Sequence, residues 1–340
     1  MKHDPDSEPD AEPGAPSAGG PGAPRGGGRA ALARWVARRL LLAVVVVLGA
    51  ATVTFGALRL TPGDPVKVMV GISAAQNPEI VEQARHETGF DRPLAVQYAD
   101  FLGDLARGDL GWSYQLQESV PTVIGDNLWP TVSLTLAGFA LAFLIAVPLA
   151  VATAGRRPAW RALSSLLELV TVSIPGFWVG LLLLTFFSFR LHLFPATGGT
   201  GLSGLVLPAV TLALGLVGLF TQILRDGMAR ALDEPFALSA RARGTGETAV
   251  RLRHALRHAL IAISTISGWT VGALLTGAVV VETVFGRPGL GRVLATAIQN
   301  RDFPVVTGIT IVSGALFTLI TLGVDLLYRV VDPRLREAPA

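Results

Sequence analysis

The sequence predicts an all-α, polytopic membrane protein with six transmembrane helices. The chain has 340 residues, of which 51% are hydrophobic and 16% charged, and its mean hydropathy of +0.52 is too high for an ordinary soluble domain. Several apolar runs reach about twenty residues, the length at which a helix crosses a bilayer. The predicted spans are Leu40–Leu58, Trp129–Ala154, Leu163–Phe187, Gly204–Leu224, Ala259–Val281 and Phe303–Tyr328.

The chain before the first span is predicted to be a disordered tail, residues 1–33, followed by a transmembrane domain, residues 34–340. Residues 1–28 are rich in Pro, Gly, Ala and acids and contain too little apolar surface for a core. A signal peptide begins with basic residues and a short apolar run, whereas here an acidic tail precedes Arg29, Arg34, Arg38 and Arg39. The sequence therefore does not predict a signal peptide.

Basic residues are distributed unequally between the two sides of the predicted spans. The side that holds both termini carries nineteen Lys and Arg residues, and the opposite side carries nine over a larger exposed length. Because basic residues concentrate in cytoplasmic loops, both termini and the loop 225–258 are predicted to be cytoplasmic. The same distribution accounts for the pI near 9.8 without a nucleic-acid-binding face.

The loop 60–128 is then external, and the third span is predicted to bend. The loop carries ten acidic residues and two helix-like stretches, near 78–86 and 93–106, which make it a plausible docking surface. Pro175 and Gly176 lie inside the third span and predict a kink. Helix packing is the ordinary explanation for such residues, and a role in gating is the alternative.

The loop 225–258 contains seven arginines and two helix-like halves separated by Gly244, Thr245 and Gly246. Gly244 suits the end of the first half, because glycine favours the left-handed conformation there. The first half offers small residues that would let another surface approach: Ala237, Ser239, Ala240 and Ala242. The second half places Leu252, Leu256 and Leu260 on one stripe and Arg251, His254 and His258 on a neighbouring stripe. Docking into a partner's groove and binding to anionic lipid are both open on these residues.

The residues offer little for catalysis, so the sequence predicts no catalytic and no metal site. There is no cysteine, and neither Lys2 nor Lys67 ends a phosphate-binding loop, so the chain should not hydrolyse ATP by itself. His254 and His258 have the spacing of a zinc-protease helix, but Ala255 replaces the glutamate that would act as general base. Glu168 and Asp325 are the only acids inside the predicted spans, and both lie within about two turns of the cytoplasmic boundary, which disfavours an ion-coupled transporter. Asp325 is predicted to form an interfacial pair with Arg329, one helical turn further along.

Several segments resemble one family in order and spacing. The segments Ser239–Gly244 and Arg253–Arg257 resemble the coupling loop of ABC-transporter permeases in the dipeptide/oligopeptide (peptide/nickel) importer branch. Further similarity lies in Arg59–Pro65, Phe90–Leu94, Gly108–Gly111, Ile174–Trp178, Glu282–Gly291, Asn300–Val306 and Val324–Tyr328. Leu238 departs from the broader permease signature, which carries glutamate there.

The resemblance implies a type I importer permease with a cytoplasmic coupling loop that docks into a cleft on a separate ATPase. The implied coupling residues are Glu234, Leu238, Ser239, Ala240, Arg241, Ala242, Arg243, Gly244, Arg253, His254 and Leu256. The implied external residues are Pro62, Gly63, Asp64, Pro65, Pro288, Gly289, Gly291, Arg301 and Asp302, and the gating candidates are Pro175 and Gly176.

The partners implied by the resemblance are a second, homologous permease, two ATPase subunits that bind ATP and Mg²⁺, and an extracytoplasmic solute-binding protein. The implied location is the cytoplasmic membrane of a bacterium, and the implied task is ATP-driven uptake of short peptides, with no cofactor in this chain. Nickel, glutathione and other small solutes are carried by similar permeases and remain alternatives, and an ion-coupled transporter is the rival of another class.

Overall fold

The computed structural model describes residues 28–60, 62–155, 158–199 and 201–331, so the predicted tail lies outside it except for residues 28–33. The described chain is almost entirely helical, which confirms the all-α class. The elements are α1 (Gly28–Leu60), α2 (Pro65–Ala74), α3 (Pro78–Glu87), α4 (Leu94–Ala106), β1 (Trp112–Ser113), β2 (Glu118–Ser119), α5 (Val120–Thr153), α6 (Pro158–Ser173), α7 (Gly176–Leu183), α8 (Ser203–Leu232), α9 (Pro235–Ala242), α10 (Glu247–Val250), α11 (Leu256–Val284), α12 (Leu290–Gln299) and α13 (Phe303–Val331).

The chain divides into two units, Met1–Leu42 and Ala43–Ala340. In the described part of the first unit, the start of α1, the Arg39 guanidinium lies 5.5 Å from the centre of the Trp35 ring. The second unit contains the helical bundle, with two separate clusters of buried hydrophobic side chains, and the short antiparallel strand pair β1–β2.

Four helices in the described residues are long and apolar enough to cross a membrane: Ala33–Leu60, Val120–Thr153, Ser203–Leu232 and Phe303–Gly323. The predicted span Ala259–Val281 lies within α11, whose apolar stretch covers Gly272–Val284. The remaining predicted span, Leu163–Phe187, is divided between α6, α7 and a π-helical segment, Leu184–Arg190. Four of the six predicted spans therefore match by length and composition, and the count of six stays a prediction.

The break between α6 and α7 falls at Ile174 and Pro175. Proline has no backbone N–H to donate to the preceding turn, so a helix cannot continue through it without distortion. Pro175 instead precedes the first turn of α7, and its carbonyl accepts the Trp178 N–H at 3.0 Å. Gly180 on α7 lies close to the neighbouring helices: a Cβ there would be 3.3 Å from the Phe285 ring and 3.4 Å from the Thr211 methyl group.

Helix α8 lies at the centre of the bundle and contacts α5, α6, α7 and α11. Its buried Phe220 makes edge-to-face contacts with Phe139 and Phe143 of α5, at centroid distances of 5.6 and 5.9 Å. On α5, a Cβ at Gly138 would be 2.8 Å from the Leu212 Cβ, so a glycine permits the close approach of the two helices. The core therefore forms around α8 rather than around any loop.

Candidate functional site: the loop between α8 and α11

The loop 225–258 begins inside α8 and leads through two short helices into α11. Helix α9 starts at Pro235, where the missing N–H has no intrahelical partner to lose. Glu234 occupies the N-cap position of α9 without a hydrogen bond from its side chain. Helix α10 passes into a π-helical turn, Arg251–Ala255, before α11 begins.

Gly244 ends α9 in the left-handed conformation, with φ of +81°. The Thr245 N–H donates to the Ala240 carbonyl at 3.1 Å, and the Gly244 N–H donates to the Arg241 carbonyl at 2.9 Å. This pair of bonds is the Schellman arrangement, which satisfies carbonyls at a helix end. A Cβ at Gly244 would meet no atom within 4 Å, so glycine is required there for its backbone conformation and not for space.

Arg241 connects three parts of the loop. Its Nε donates to Glu247 Oε1 at 2.7 Å, which joins α9 to α10, and its Nη1 donates to the Leu232 carbonyl at 3.2 Å, at the end of α8. The hydrogen bond to Glu247 raises the pKa of Arg241, with further support from the negative charges of Glu247 and Asp233. Arg241 therefore stays charged across the physiological pH range.

Phe236 connects α9 to the start of α11. Its ring stacks on His258 at 4.8 Å with an interplanar angle of 20°, and its centroid lies 6.3 Å from that of His254. Helices α8 and α11 also approach directly, since a Cβ at Gly227 would be 3.1 Å from the Ala259 Cα. The loop is thus held by contacts at both of its ends.

The predicted coupling residues divide into a buried and an exposed group. The expectation that all four small residues of α9 form a surface for another protein is therefore wrong. Ala237 and Ala240 are fully buried in the chain's own core, because packing of α9 on the bundle turns them inward. They are not free to meet another protein. Leu238 is 69% exposed. The exposed loop residues include Leu238, Ser239, Ala242, Arg243, Leu252 and Arg253, together with the acids Asp233, Glu234 and Glu247.

The predicted stripes on the second half are also corrected. Arg251 is buried instead of lying with His254 and His258 on a polar stripe. A π-helical turn takes up more residues than an α-helical turn, so side-chain positions extrapolated at 3.6 residues per turn shift across Arg251–Ala255. His254 and Leu256 are half-buried, while Leu252 is 48% exposed.

At the other end of the bundle, the predicted external residues fall into two linked groups. Arg301 Nη1 donates to the Pro62 carbonyl at 2.9 Å, so the segments Pro62–Pro65 and Arg301–Asp302 meet. Asp64 accepts the Val66 N–H at 3.1 Å as the N-cap of α2 and pairs with Arg85 at 2.6 Å. We call this end, which carries residues 62–119, the first-loop end.

Asp302 ties the small β1–β2 hairpin to the start of α13. It is buried and accepts the Ser113 hydroxyl, and its Oδ1 lies 3.5 Å from the Val305 nitrogen in the first turn of α13. Gly63 has φ of +119°, and a Cβ there would lie 3.0 Å from Arg301 Nη1. The motif residues in these segments therefore have structural partners in one another.

Glu282 is a buried residue of this end that the sequence did not single out. It is fully buried, accepts the Thr131 hydroxyl at 2.6 Å and accepts backbone N–H groups of Gly291 and Arg292, the latter at 3.1 Å. Thr131 Oγ1 in turn accepts the Leu290 N–H at 2.8 Å. The carboxylate therefore joins α11, the first turn of α12 and, through Thr131, α5.

Glycines make this arrangement possible. A Cβ at Gly289 would collide with the Glu282 carboxylate, and one at Gly291 would collide with the Val279 backbone and the same carboxylate. The signal in the sequence was an acid at the end of an apolar run followed by Gly286, Gly289 and Gly291, a spacing that indicates close backbone approach. Pro288, the third predicted residue of this motif, lies in the same turn.

Arg287 lies next to Glu282 in the turn between α11 and α12. It donates to the Gly204 carbonyl at 3.2 Å and to Ser133 Oγ at 3.4 Å, which connects the α11–α12 turn to α8 and α5. Burial lowers the pKa of Arg287, and the neighbouring Glu282 opposes that effect.

Glu168, predicted as an acid near the membrane boundary, is buried and forms an ion pair with Arg225 of α8. A buried carboxylate without a partner is strongly unfavourable, and the Arg225 guanidinium supplies that partner. The predicted partnership of Asp325 with Arg329 involves side chains outside the described part of the chain.

Comparison with known proteins places these features in context. Residues 142–337 match the family described as "Binding-protein-dependent transport system inner membrane component", and residues 32–135 match its N-terminal counterpart. A Brucella abortus protein named as a peptide transport system permease is 37% identical over 310 residues, covering 88% of this chain and 98% of that protein.

A second relative is the glutathione transport system permease protein GsiC of Salmonella typhimurium, 33% identical over 303 residues, covering 89% of this chain and 98% of the relative. Among solved structures, the inward-facing MetNI methionine ABC transporter has a chain with a TM-score of 0.50 and 20% identity, covering 62% of this chain and 96% of that one. This last likeness supports the fold.

Proposed function

Because the chain belongs to the family of binding-protein-dependent transport system inner membrane components, and so is the permease subunit of an ABC importer, we propose that it carries short peptides into the bacterial cytoplasm. The permease itself is a transport subunit and not an enzyme. In this proposal, two separate ATPase subunits bind ATP and Mg²⁺, a second permease completes the membrane unit, and an extracytoplasmic binding protein delivers the peptide. The bacterial membrane is the expected location.

The observation that carries the coupling part of the proposal is the set of contacts that join the two halves of the loop to each other and to α8 and α11. A loop that transmits closure of an ATPase must keep its shape under load, and Arg241, Phe236 and the Gly244 turn hold both halves of this one. Leu238 and Leu252 expose apolar side chains next to the exposed Arg243, which suits an apolar groove, and the exposed acids Glu234 and Glu247 lie in the same loop. We infer that Leu238, Arg243 and Leu252 are the side chains that enter the ATPase cleft.

Peptide is proposed as the cargo because the first relative belongs to a system named for peptide transport. A second candidate is glutathione, since another relative with similar coverage is a glutathione permease. Glutathione is itself a tripeptide, so both candidates describe small peptidic solutes. Nickel or another small solute stays an alternative to be tested in the same assay.

The partners of two buried acids, Glu168 and Glu282, support ATP rather than an ion gradient as the energy source. Glu168 is paired with Arg225, and Glu282 accepts hydrogen bonds from Thr131 and from the first turn of α12. Ion-coupled sites usually contain an intramembrane Asp, Glu or His whose occupancy changes during the cycle, although backbone carbonyls can bind sodium. Both of these carboxylates instead have fixed protein partners.

A reconstituted uptake assay tests the function. Proteoliposomes containing this chain, its partner permease and the ATPases, with ATP inside and binding protein outside, are expected to accumulate labelled di- or tripeptide after ionophores collapse all ion gradients. Omission of ATP or of the binding protein should abolish accumulation. Uptake without ATP, or uptake that stops on ionophore addition while ATP remains, would contradict the proposal.

Site-directed labelling tests the proposed topology, with both termini and the loop 225–258 on the cytoplasmic side. The chain has no cysteine, so a Ser239→Cys variant carries one thiol at an exposed position on α9. We expect no labelling by an impermeant maleimide added to intact cells, and full labelling after permeabilisation. The matched control is Glu79→Cys, exposed on α3 at the first-loop end, which should react from outside. The reverse pattern would invert the topology.

A further inference from the structure

A cavity of about 550 Å³ lies at the first-loop end. It lies between the last turns of α1, the segment around α4 and the start of α13. Its wall is largely apolar, with Phe55, Met69, Phe90, Phe101, Pro304 and Ile311 among the lining residues. The volume falls within the range of about 300–1,000 Å³ that is usual for small-molecule sites.

Arg59 supplies the cavity wall with a cation. Its guanidinium lies over two aromatic rings, 4.7 Å from the centre of Phe90 and 5.3 Å from that of Phe55. The Arg59 Nε is buried and has no hydrogen-bond partner among the described residues, and no described carboxylate lies within ion-pair distance of the guanidinium. A buried donor of this kind ordinarily has a partner, so its hydrogen-bonding capacity is open to a ligand.

The other arginines of the cavity are already engaged. Arg92 pairs with Asp100 at 3.1 Å, Arg107 pairs with Asp104 at 2.8 Å, and Arg301 donates to the Pro62 carbonyl. Asp109 also lines the cavity, is exposed, and uses one oxygen to accept the Gly111 N–H at 2.8 Å. Among the arginines of the cavity wall, Arg59 is therefore the one available to bind an anionic group. Several carboxylates line the rest of the cavity.

We propose that this cavity binds the carboxyl terminus of a short peptide whose last side chain is apolar, with Arg59 as the carboxylate-binding residue. The proposal rests on peptide being the cargo. A planar guanidinium matches a carboxylate through two parallel N–H···O bonds, and the flanking rings of Phe55 and Phe90 hold that plane in place. The apolar wall accommodates the terminal side chain, and an amino terminus is attracted by the neighbouring acids.

The same features disfavour an anionic phospholipid as the ligand. A two-chain lipid exceeds the cavity, and the acids around the cavity repel a headgroup with net negative charge. A zwitterionic peptide carries a carboxylate that Arg59 can bind and an amino group that the neighbouring acids can attract. The cavity would then select for a free carboxyl terminus.

Equilibrium binding of labelled tri-leucine and of its carboxyl-terminal amide to the full chain in phosphatidylcholine nanodiscs tests the proposal. No ATP or binding protein is added. The wild-type chain is expected to bind the free acid about tenfold more tightly than the amide, the ratio typical of one charged hydrogen-bonded contact. Arg59→Gln should weaken binding of the acid about tenfold and leave binding of the amide unchanged.

Two further variants separate the carboxylate contact from general damage to the fold. Arg59→Lys keeps the charge but loses the planar fork, and should bind the acid with intermediate affinity. Arg190→Gln removes an exposed arginine that does not line the cavity, and should bind as the wild type does. The comparison of acid with amide on the wild-type chain needs no variant at all.

Three results would overturn the proposal: no preference of the wild type for the acid, unchanged acid binding in Arg59→Gln, or loss of tri-leucine binding when phosphatidylglycerol replaces phosphatidylcholine. The last result would assign the cavity to lipid. Failure of the uptake assay with intact acid-selective binding would reject the transport proposal and leave the site standing. Peptide uptake with unchanged binding in Arg59→Gln would reject the site alone.

Discussion

Replacing Glu282 by alanine is expected to destabilise the folded permease by roughly 2–6 kcal/mol, because two backbone donors in the first turn of α12 lose their acceptor in a buried position. Those donors are the N–H groups of Gly291 and Arg292. Thr131 loses the same partner, although its hydroxyl can turn towards the Asn127 carbonyl at 3.4 Å. The truncation also leaves a cavity between α5, α11 and α12, which adds to the cost.

Thermal inactivation of the detergent-purified chain measures this effect, as the temperature at which half of the protein remains monodisperse. Glu79→Ala is the matched control, since Glu79 is an exposed acid in the first turn of α3. Glu282→Gln should fall between the wild type and Glu282→Ala, because the amide oxygen can still accept from α12. A Glu282→Ala protein as stable as Glu79→Ala would show that the α11–α12 turn holds together without the carboxylate.

Replacing Gly244 by valine is expected to reduce ATP-driven uptake by about tenfold or more while the protein still inserts into the membrane. The φ of +81° costs a non-glycine residue about 1–2 kcal/mol, and a β-branched side chain more. A strain of that size lowers the population of the native loop about tenfold. The loss of the turn also releases the hydrogen bonds from Gly244 and Thr245 that end α9.

Uptake per unit of membrane-inserted protein, together with ATP hydrolysis, distinguishes uncoupling from misfolding. Gly246→Val is the matched control in the same loop, since Gly246 has φ of −64° and open space around it. Gly244→Asn should retain more uptake than Gly244→Val, because asparagine tolerates the left-handed conformation. Wild-type uptake in Gly244→Val would mean that the turn after α9 has no part in coupling.

The features that the sequence predicted well depend on local chemistry. Long apolar runs indicate spanning helices, a proline marks the break before α7, and the glycine at 244 marks the end of α9 because few other residues adopt its conformation. Each of these can be read within a few neighbouring residues. The family resemblance rested on such segments, and the family membership confirms it.

What the sequence did not predict depends on contacts between distant segments. The burial of Ala240 follows from how α9 packs on the bundle, and no property of alanine distinguishes it from the exposed Ala242. Arg251 turns inward at a wide turn that has no sequence signature. Glu282 meets Thr131, 151 positions away, and a partner at that separation cannot be read from either local sequence.

The joining of α8 and α11 through a stiff loop has a mechanical consequence. Arg241 fixes α9 to the end of α8, and Phe236 fixes it to the start of α11, so a force on the exposed loop residues reaches both helices at once. We therefore expect a displacement of α9 to move the end of α8 and the start of α11 together. Because α8 also contacts α5, α6 and α7, we expect a displacement of the loop to be transmitted through α8 to those three helices as well.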